Sequence, residues 1–178
     1  IWERGEPYSA KLFAKLIKEA GTDRIVTMDL HADQIKGFYD IRMEALHASH
    51  TFLRILKEEF DGLAHTVFCS TDAGGARIAR HYAKHTGGGV ALGDKIKFYD
   101  GKGKEVEKVN IIGEVEGKTV VVVDDMVDTG GSMVRTIEGA IEKGAKEVYA
   151  LATHAILSEP ATERFQRSYS EKKLKKAY

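Results

Sequence analysis

Three carboxylates and a pair of glycines fall within eight residues of "VVVVDDMVDTGGSM", Val120 to Met133. Asp128, Thr129, Gly130, Gly131 and Ser132 offer consecutive backbone N–H groups and two hydroxyls ahead of a stretch with helical spacing. Such a turn at a helix N-terminus suits a terminal phosphate monoester. No Gly-Lys-Ser/Thr is present, so it is not a Walker loop. Asp124 and Asp125 cannot serve the same anion: like charges ~4 Å apart repel by about 1 kcal/mol in water and ~4 kcal/mol at an effective dielectric of 20. They call for hydroxyl donors or a metal, and a sugar phosphate brings its hydroxyls and its phosphate together.

Other segments carry weaker signals of the same kind. In "Ser70-Thr71-Asp72-Ala73-Gly74-Gly75" two glycines let backbone N–H groups approach an anion at the start of a helix. An aspartate N-cap followed by a tight glycine turn accounts for those residues equally well. Asp29 and His31 stand two apart, and in an extended chain both point to one face, a spacing suited to a divalent cation or a polyphosphate. Taken alone, that pair also reads as a histidine bonded to a neighbouring strand and an aspartate capping the next turn. Lys95 and Lys97 alternate on one side of a strand; by themselves they are lysines guarding an exposed edge. Thr153-His154 ends a further apolar run, where a core or capping histidine is the simpler reading.

The elements that position these residues follow from the apolar pattern. Runs at 24–30, 66–71, 119–125 and 148–154 read as strands, and four successive valines imply a strand buried on both faces. Helical spacing fits 8–20, 49–60, 75–85, 131–143 and 160–167, with an apolar stripe of Leu12, Leu16 and Ala20 in the first and Met133, Ile137 and Ala140 in the fourth. The alternation predicts an α/β fold with a mostly parallel sheet flanked by helices. In such sheets ligands bind beyond the carboxyl ends of the strands, where every motif above lies. Gly87 to Gly113 breaks the pattern and reads as an inserted flap or hairpin, with Asp100-Gly101 at its turn.

Composition narrows the partners. The 178 residues carry 27 Lys+Arg against 27 Asp+Glu, so no global field recruits nucleic acid or an acidic membrane surface. No apolar run approaches the ~20 residues needed to span a bilayer. The single cysteine, Cys69, lies in "TVFCST" and reads as a buried structural thiol in a reducing compartment, so a cytoplasmic location is expected.

"VVVVDDMVDTGGSM" resembles the phosphoribosyl-pyrophosphate (PRPP) motif shared by type I phosphoribosyltransferases and ribose-phosphate pyrophosphokinases. "TMDLHADQIKGFYDI", "STDAGGARIA", "VNIIGEVEGKTVVVVDDMVDTGGSM" and "GAKEVYALATHAILSEPA" are similar to the pyrophosphokinases in particular, from about Pro7 to Pro160. The resemblance implies a type I phosphoribosyltransferase-like fold: residues 1–46 as the end of a first domain, and residues 47–178 as a second carrying the ribose-phosphate loop. It implies an enzyme that transfers the pyrophosphoryl group of ATP to the anomeric hydroxyl of ribose 5-phosphate, giving PRPP and AMP.

By the same resemblance, Asp128, Thr129, Gly130, Gly131 and Ser132 hold the 5-phosphate, and Asp124 and Asp125 contact ribose hydroxyls and magnesium (Mg2+). Asp72, Ala73, Gly74 and Gly75 form the pyrophosphate loop, with Asp72 near a metal. His31 binds ATP phosphates and, with Asp29, places magnesium. Lys95 is the catalytic flap lysine, with Lys97 beside it. Homo-oligomers, dimers or hexamers, are implied. The sequence departs from the family at Lys97, where arginine is usual and lysine loses the bidentate fork. It departs also at Thr71 and Arg42, each in place of proline, and at Ser132 in place of threonine. The family's N-terminal half, including an arginine–glutamine loop that reaches ATP, is absent, as are its last strands, so a piece of a longer protein is expected. The remaining readings are a phosphoribosyltransferase consuming PRPP and a non-catalytic relative that binds ribose phosphates.

Overall fold

Val120, Val121, Val122 and Val123 have no polar group to offer water, and each is 0% exposed in the computed structural model, which describes residues 9–60, 62–99 and 105–178. The chain divides into two compact units, one up to Ala48 and one from Ser49 onward. The first holds α1 (Ser9–Glu19), β1 (Arg24–Met28), a 3-10 segment (Asp33–Phe38) and β2 (Arg42–Leu46). The second holds α2 (Ser49–Glu59), β3 (Thr66–Ser70), α3 (Ala76–Thr86), β4 (Gly89–Tyr99), β5 (Glu105–Ile112), β6 (Thr119–Val127), α4 (Gly131–Glu142), β7 (Glu147–Ala155), α5 (Ala161–Ser170) and β8 (Lys176–Ala177).

In the second unit six strands form one sheet in the order β5-β4-β3-β6-β7-β8. All neighbours are parallel except β4 and β5. The valines of β6 sit in its middle, Val121 opposite Phe68 on one side and Tyr149 on the other. Because successive side chains alternate across a strand, they feed two cores. Val120 and Val122 join Cys69, Met133, Ile137 and Ala140 on the α4 face, while Val121 and Val123 join Leu56, Phe68, Ala79 and Tyr82 on the other. Burying one valine fully stabilises by roughly 1.5–3 kcal/mol, so this strand is the strongest single claim on the chain's topology.

The predicted α/β architecture is therefore present, and so is the inserted hairpin. β4 follows β3 in parallel only from Gly89 to Leu92, then runs on alone with β5 as an antiparallel ladder from Leu92–Ile112 to Tyr99–Glu105. The Asp100–Gly101 turn lies outside the described residues. The switch comes at Gly93, where a Cβ would stand 2.8 Å from the Thr71 carbonyl oxygen, too close for any side chain.

Three expectations need correction. The first strand ends at Met28, not residue 30, and Asp29 turns out of it with φ of 43°. The alternation that put Asp29 and His31 on one face therefore does not apply. The stripe of α1 exists but is not buried: Leu12, Phe13 and Leu16 are 55%, 59% and 56% exposed, because the first unit has only two paired strands, β1 and β2. His154 is exposed, so it is not a core residue, and β7 runs on past it to Ala155. β2 and β8 are strands that periodicity does not announce. Among the described residues no helix is long and apolar enough to cross a membrane.

Helix α4 lies directly on β5. A Cβ at Gly139 would come within 2.6 Å of the Val109 carbonyl oxygen. Replacing a mid-helix glycine by alanine ordinarily adds about 0.5–1 kcal/mol of stability. Here the sign reverses: Gly139→Ala is expected to lower the melting temperature, with an overpacking cost of about 1–3 kcal/mol. A calorimetric scan showing a higher Tm would refute this close approach.

Candidate active site

Since β3 and β6 are parallel neighbours in register from Thr66–Thr119 to Ser70–Val123, the loops leaving them emerge side by side. The next residues are Thr71 and Asp124, and they are joined: the Thr71 hydroxyl donates to Asp124 Oδ2 at 2.7 Å. Asp124 Oδ1 accepts from the Asp125 backbone N–H at 2.9 Å. Burial pushes the Asp124 carboxyl up to about 6, with the Thr71 hydroxyl opposing the shift and the neighbouring Asp125 adding to it. The site thus already contains a carboxylate that is uncomfortable when charged, the condition in which a cation or a hydroxyl donor is welcome.

After β3, Ser70 Oγ donates to the Asp72 carbonyl at 2.7 Å and closes the turn. Asp72 Oδ1 accepts the Gly75 N–H at 3.1 Å, so the reading of Asp72 as a cap at the start of α3 holds in part. Its other oxygen, Oδ2, faces Lys95 Nζ at 3.4 Å. The hairpin of β4 and β5 therefore carries Lys95 back over the turn after β3. Lys97 lies two residues on, opposite Glu107, with its side chain exposed. Gly74 and Gly75 leave space that a side chain would narrow: a Cβ would stand 3.2 Å from Asp72 Oδ1 at Gly74 and 3.2 Å from Ser70 Cβ at Gly75. The backbone of Ala73, Gly74 and Gly75 is left bare at the start of α3.

After β6, the chain turns through Asp128 and Thr129 into Gly130, which adopts φ of 73° and leads α4 from Gly131. That left-handed conformation favours glycine, and a Cβ at Gly130 would also stand 3.0 Å from Phe165 Cε2. The loop is held from outside by α5: Arg164 Nη1 donates to the Thr129 carbonyl at 2.8 Å. Arg164 is a site residue that sequence reasoning missed, since nothing in "ATERFQRSYS" marks one arginine as touching a loop 35 residues earlier.

In the first unit, Asp29 sits just past β1 and is engaged by its neighbours. Its Oδ1 meets His47 Nδ1 at 3.0 Å, and its Oδ2 accepts the Ala48 N–H at 3.2 Å. His31 follows two residues on and is exposed. His47 is the second residue missed by sequence reasoning, brought to Asp29 because β1 and β2 are parallel and end level, Met28 opposite Leu46. Cys69 is buried as expected, its thiol pushed up to about 12 by burial.

The architecture and the loops at the carboxyl ends of β3 and β6 match known proteins. The phosphoribosyl transferase domain family covers residues 36–176. The chain belongs to that family. A curated ribose-phosphate pyrophosphokinase of Bradyrhizobium diazoefficiens is 46% identical over 162 residues, 91% of this chain and 50% of its own length. Another, from Thermosipho africanus, is 44% identical over 167 residues, 94% of this chain and 52% of its own. A crystal structure of phosphoribosylpyrophosphate synthetase from Mycobacterium smegmatis superposes with a TM-score of 0.78 at 37% identity, covering 90% of this chain and 51% of that one. A purine phosphoribosyltransferase from Pyrococcus horikoshii shares the fold at 20% identity and a TM-score of 0.50. The resemblance read from the motifs is thus borne out, and the chain spans about half the length of the curated relatives it matches.

The raised carboxyl of Asp124 has a measurable consequence. Its folded value, about 6, lies above the ordinary 3.8. The folded state therefore holds the proton more tightly, and this contribution to stability is full below about 3.8 and lost as pH rises through about 6. Comparing thermal unfolding of the ligand-free chain with Asp124→Asn, wild type should lose about 2 kcal/mol relative to the variant between pH 4 and pH 7. A gap that stays constant with pH would show that Asp124 is not desolvated.

Proposed function

We propose that this chain carries the ribose-phosphate and pyrophosphate part of a ribose-phosphate diphosphokinase, which makes PRPP and AMP from ATP and ribose 5-phosphate. The observation that carries the reading is the joining of two anion-type loops on adjacent parallel strands. Thr71 ties the turn after β3 to Asp124 at 2.7 Å, while Lys95 of the hairpin reaches Asp72 of that turn at 3.4 Å. A transferase that only held a ribose phosphate would need the β6 loop alone.

In this reading the backbone N–H groups and hydroxyls of Asp128, Thr129, Gly130, Gly131 and Ser132 take the 5-phosphate. Asp124 and Asp125 orient the ribose by its hydroxyls. The oxygen of the anomeric hydroxyl attacks the β-phosphorus of ATP. A bond from that oxygen to the β-phosphorus forms, the bond from the β-phosphorus to the bridging oxygen breaks, that oxygen leaves with AMP, and the hydroxyl proton is released. The bare N–H groups of Ala73, Gly74 and Gly75 receive the pyrophosphoryl oxygens. Lys95, swung from Asp72 to the substrate, and Lys97 stabilise the charge spreading over them. Lys97, a point charge in place of a fork, grips less specifically than arginine. His31, with Asp29, serves the ATP phosphates.

Magnesium fits this set. Among the described residues no group of three or more His, Cys, Asp or Glu side chains gathers as a cage. Magnesium prefers one or two carboxylates completed by substrate phosphates and water. Asp72, the pair Asp124 and Asp125, and Asp29 with His31 are the groups that would hold it. Bound there, it would neutralise phosphate charge and polarise the transferring phosphorus. We extend the proposal to a cytoplasmic homo-oligomer, dimer or hexamer, as the resemblance implies.

The direct test is AMP release from ATP by the full-length protein containing this chain, dependent on both ribose 5-phosphate and magnesium. Lys95→Ala should reduce kcat by about 10²–10³ with the fold intact, the usual loss for one transition-state donor. Ribose 5-phosphate binding without turnover would point instead to the non-catalytic reading. A second measurement isolates the ribose site: Asp125→Asn should weaken ribose 5-phosphate binding in magnesium by about tenfold or more, the scale of one hydrogen bond to a charged group. Unchanged affinity in calorimetry would remove Asp125 from the site.

A further inference from the structure

The groove between α4 and α5 holds cationic groups that the reaction above does not use. It is an open cavity of ≈ 320 Å³ that runs down the side of α4 from Gly131 past Arg135 and Glu138. These positions are four and seven residues apart, so they share one helix face. From α5 it receives Arg164, Arg167 and Ser168.

Two polar atoms there are buried without a partner, Arg135 Nε and Ser168 Oγ, and Ser168 is only 2% exposed. A buried donor left unpaired is costly, and such groups in a native protein call for an occupant. The carboxylates at the rim are already committed. Glu171 accepts from Arg167 Nε at 2.8 Å and from Lys173 at 2.7 Å, and Glu138 meets Lys173 at 3.0 Å. Arg135 keeps Glu107 at 3.1 Å through Nη2, which leaves Nε unspent. Arg164 pairs with no carboxylate among the described residues and gives only Nη1, to the Thr129 carbonyl. Donors therefore exceed acceptors in a recess ringed by three guanidinium groups, the residue type best matched to tetrahedral oxyanions.

We propose that this groove is a second anion site, taking the phosphate group of a small-molecule ligand. Ser168 Oγ, Arg135 Nε and the unused donors of Arg164 and Arg167 would be its ligands. The site is distinct from the loop of Asp128 to Ser132, whose N–H groups stand at the end of α4, whereas these donors line its side. The volume exceeds that of a bare phosphate, so a phosphate ester fits better than the inorganic ion, with Glu138 available to hydroxyls on its remainder.

The site can be tested on the uniformly 15N-labelled chain, with inorganic phosphate as the probe and sodium chloride at matched ionic strength as the control. The side-chain Nε–H resonance of Arg135, assigned by its loss in Arg135→Lys, should shift saturably with phosphate. Arg167→Gln, at an exposed position that cannot compromise folding, and Ser168→Ala should each weaken that shift by about tenfold, the size of one charge-assisted hydrogen bond. An Arg135 signal that does not move, that moves equally with chloride, or that titrates unchanged in both variants overturns the proposal. The Gly130 backbone amide reports the loop separately, so its silence would count against the ribose-phosphate reading alone.

Discussion

The full burial of β6 is the constraint on which the rest of the second unit depends. A strand with Val120 to Val123 all at 0% exposure can lie only in the interior of a sheet covered on both faces. Slipping its register by one residue would exchange the side chains facing α4 for those facing α2 and α3, and the two cores have different shapes. The register with β3 is therefore held firmly, and it sets where polar chemistry can begin. Valine stops at 123, and the first carboxylate, Asp124, appears where the strand leaves the core beside Thr71. The site is in this sense a by-product of the end of the valines.

That position explains why acids stand next to a loop built for an anion. Asp124 and the loop at Asp128 to Ser132 lie on the same connection, but they do not have to meet the same atoms of a ligand. Asp124 is held back in the sheet, desolvated and pushed up to about 6, with one oxygen on Thr71 and the other on the Asp125 N–H. The loop lies past Val127, at the positive end of α4. A ligand with hydroxyls at one end and a phosphate at the other satisfies both. Thr71 matters for this division: where the family usually has proline, this chain has a hydroxyl that donates to Asp124, a contact proline cannot make.

Much of this was legible in the sequence because its causes are local. A valine run, glycines before a helix and an apolar stripe are short-range patterns, and β3, β6, β7, α3 and α4 lie within a residue or two of where periodicity put them. The hairpin was legible as a break in alternation. What stayed hidden depends on contacts distant in sequence. Arg164 reaches Thr129 across 35 residues, and His47 meets Asp29 only because β1 and β2 end level. β2, with one face charged and the other barely apolar, carries too little alternation to be distinguished from a loop. The error at Asp29 has a different origin: extending a strand by two residues assumes extended backbone, and a φ of 43° cancels the assumption at the one residue where it mattered.

The hairpin shows how the sheet delivers a mobile charge to a fixed site. β4 is an ordinary interior strand as far as Leu92, where it is paired on both sides, to β3 and to β5. Beyond Gly93 it loses β3, because β3 has ended and the Thr71 carbonyl occupies the space a side chain would need. From there Lys95 and Lys97 are carried by two strands with no third to brace them, and a two-stranded ribbon is marginal on its own. The Lys95–Asp72 pair, with both side chains a third to a half exposed, adds no more than about 1 kcal/mol. A contact that weak positions the ammonium over the turn after β3 without locking it there, so a phosphate-bearing ligand can take Lys95 from Asp72 at little cost.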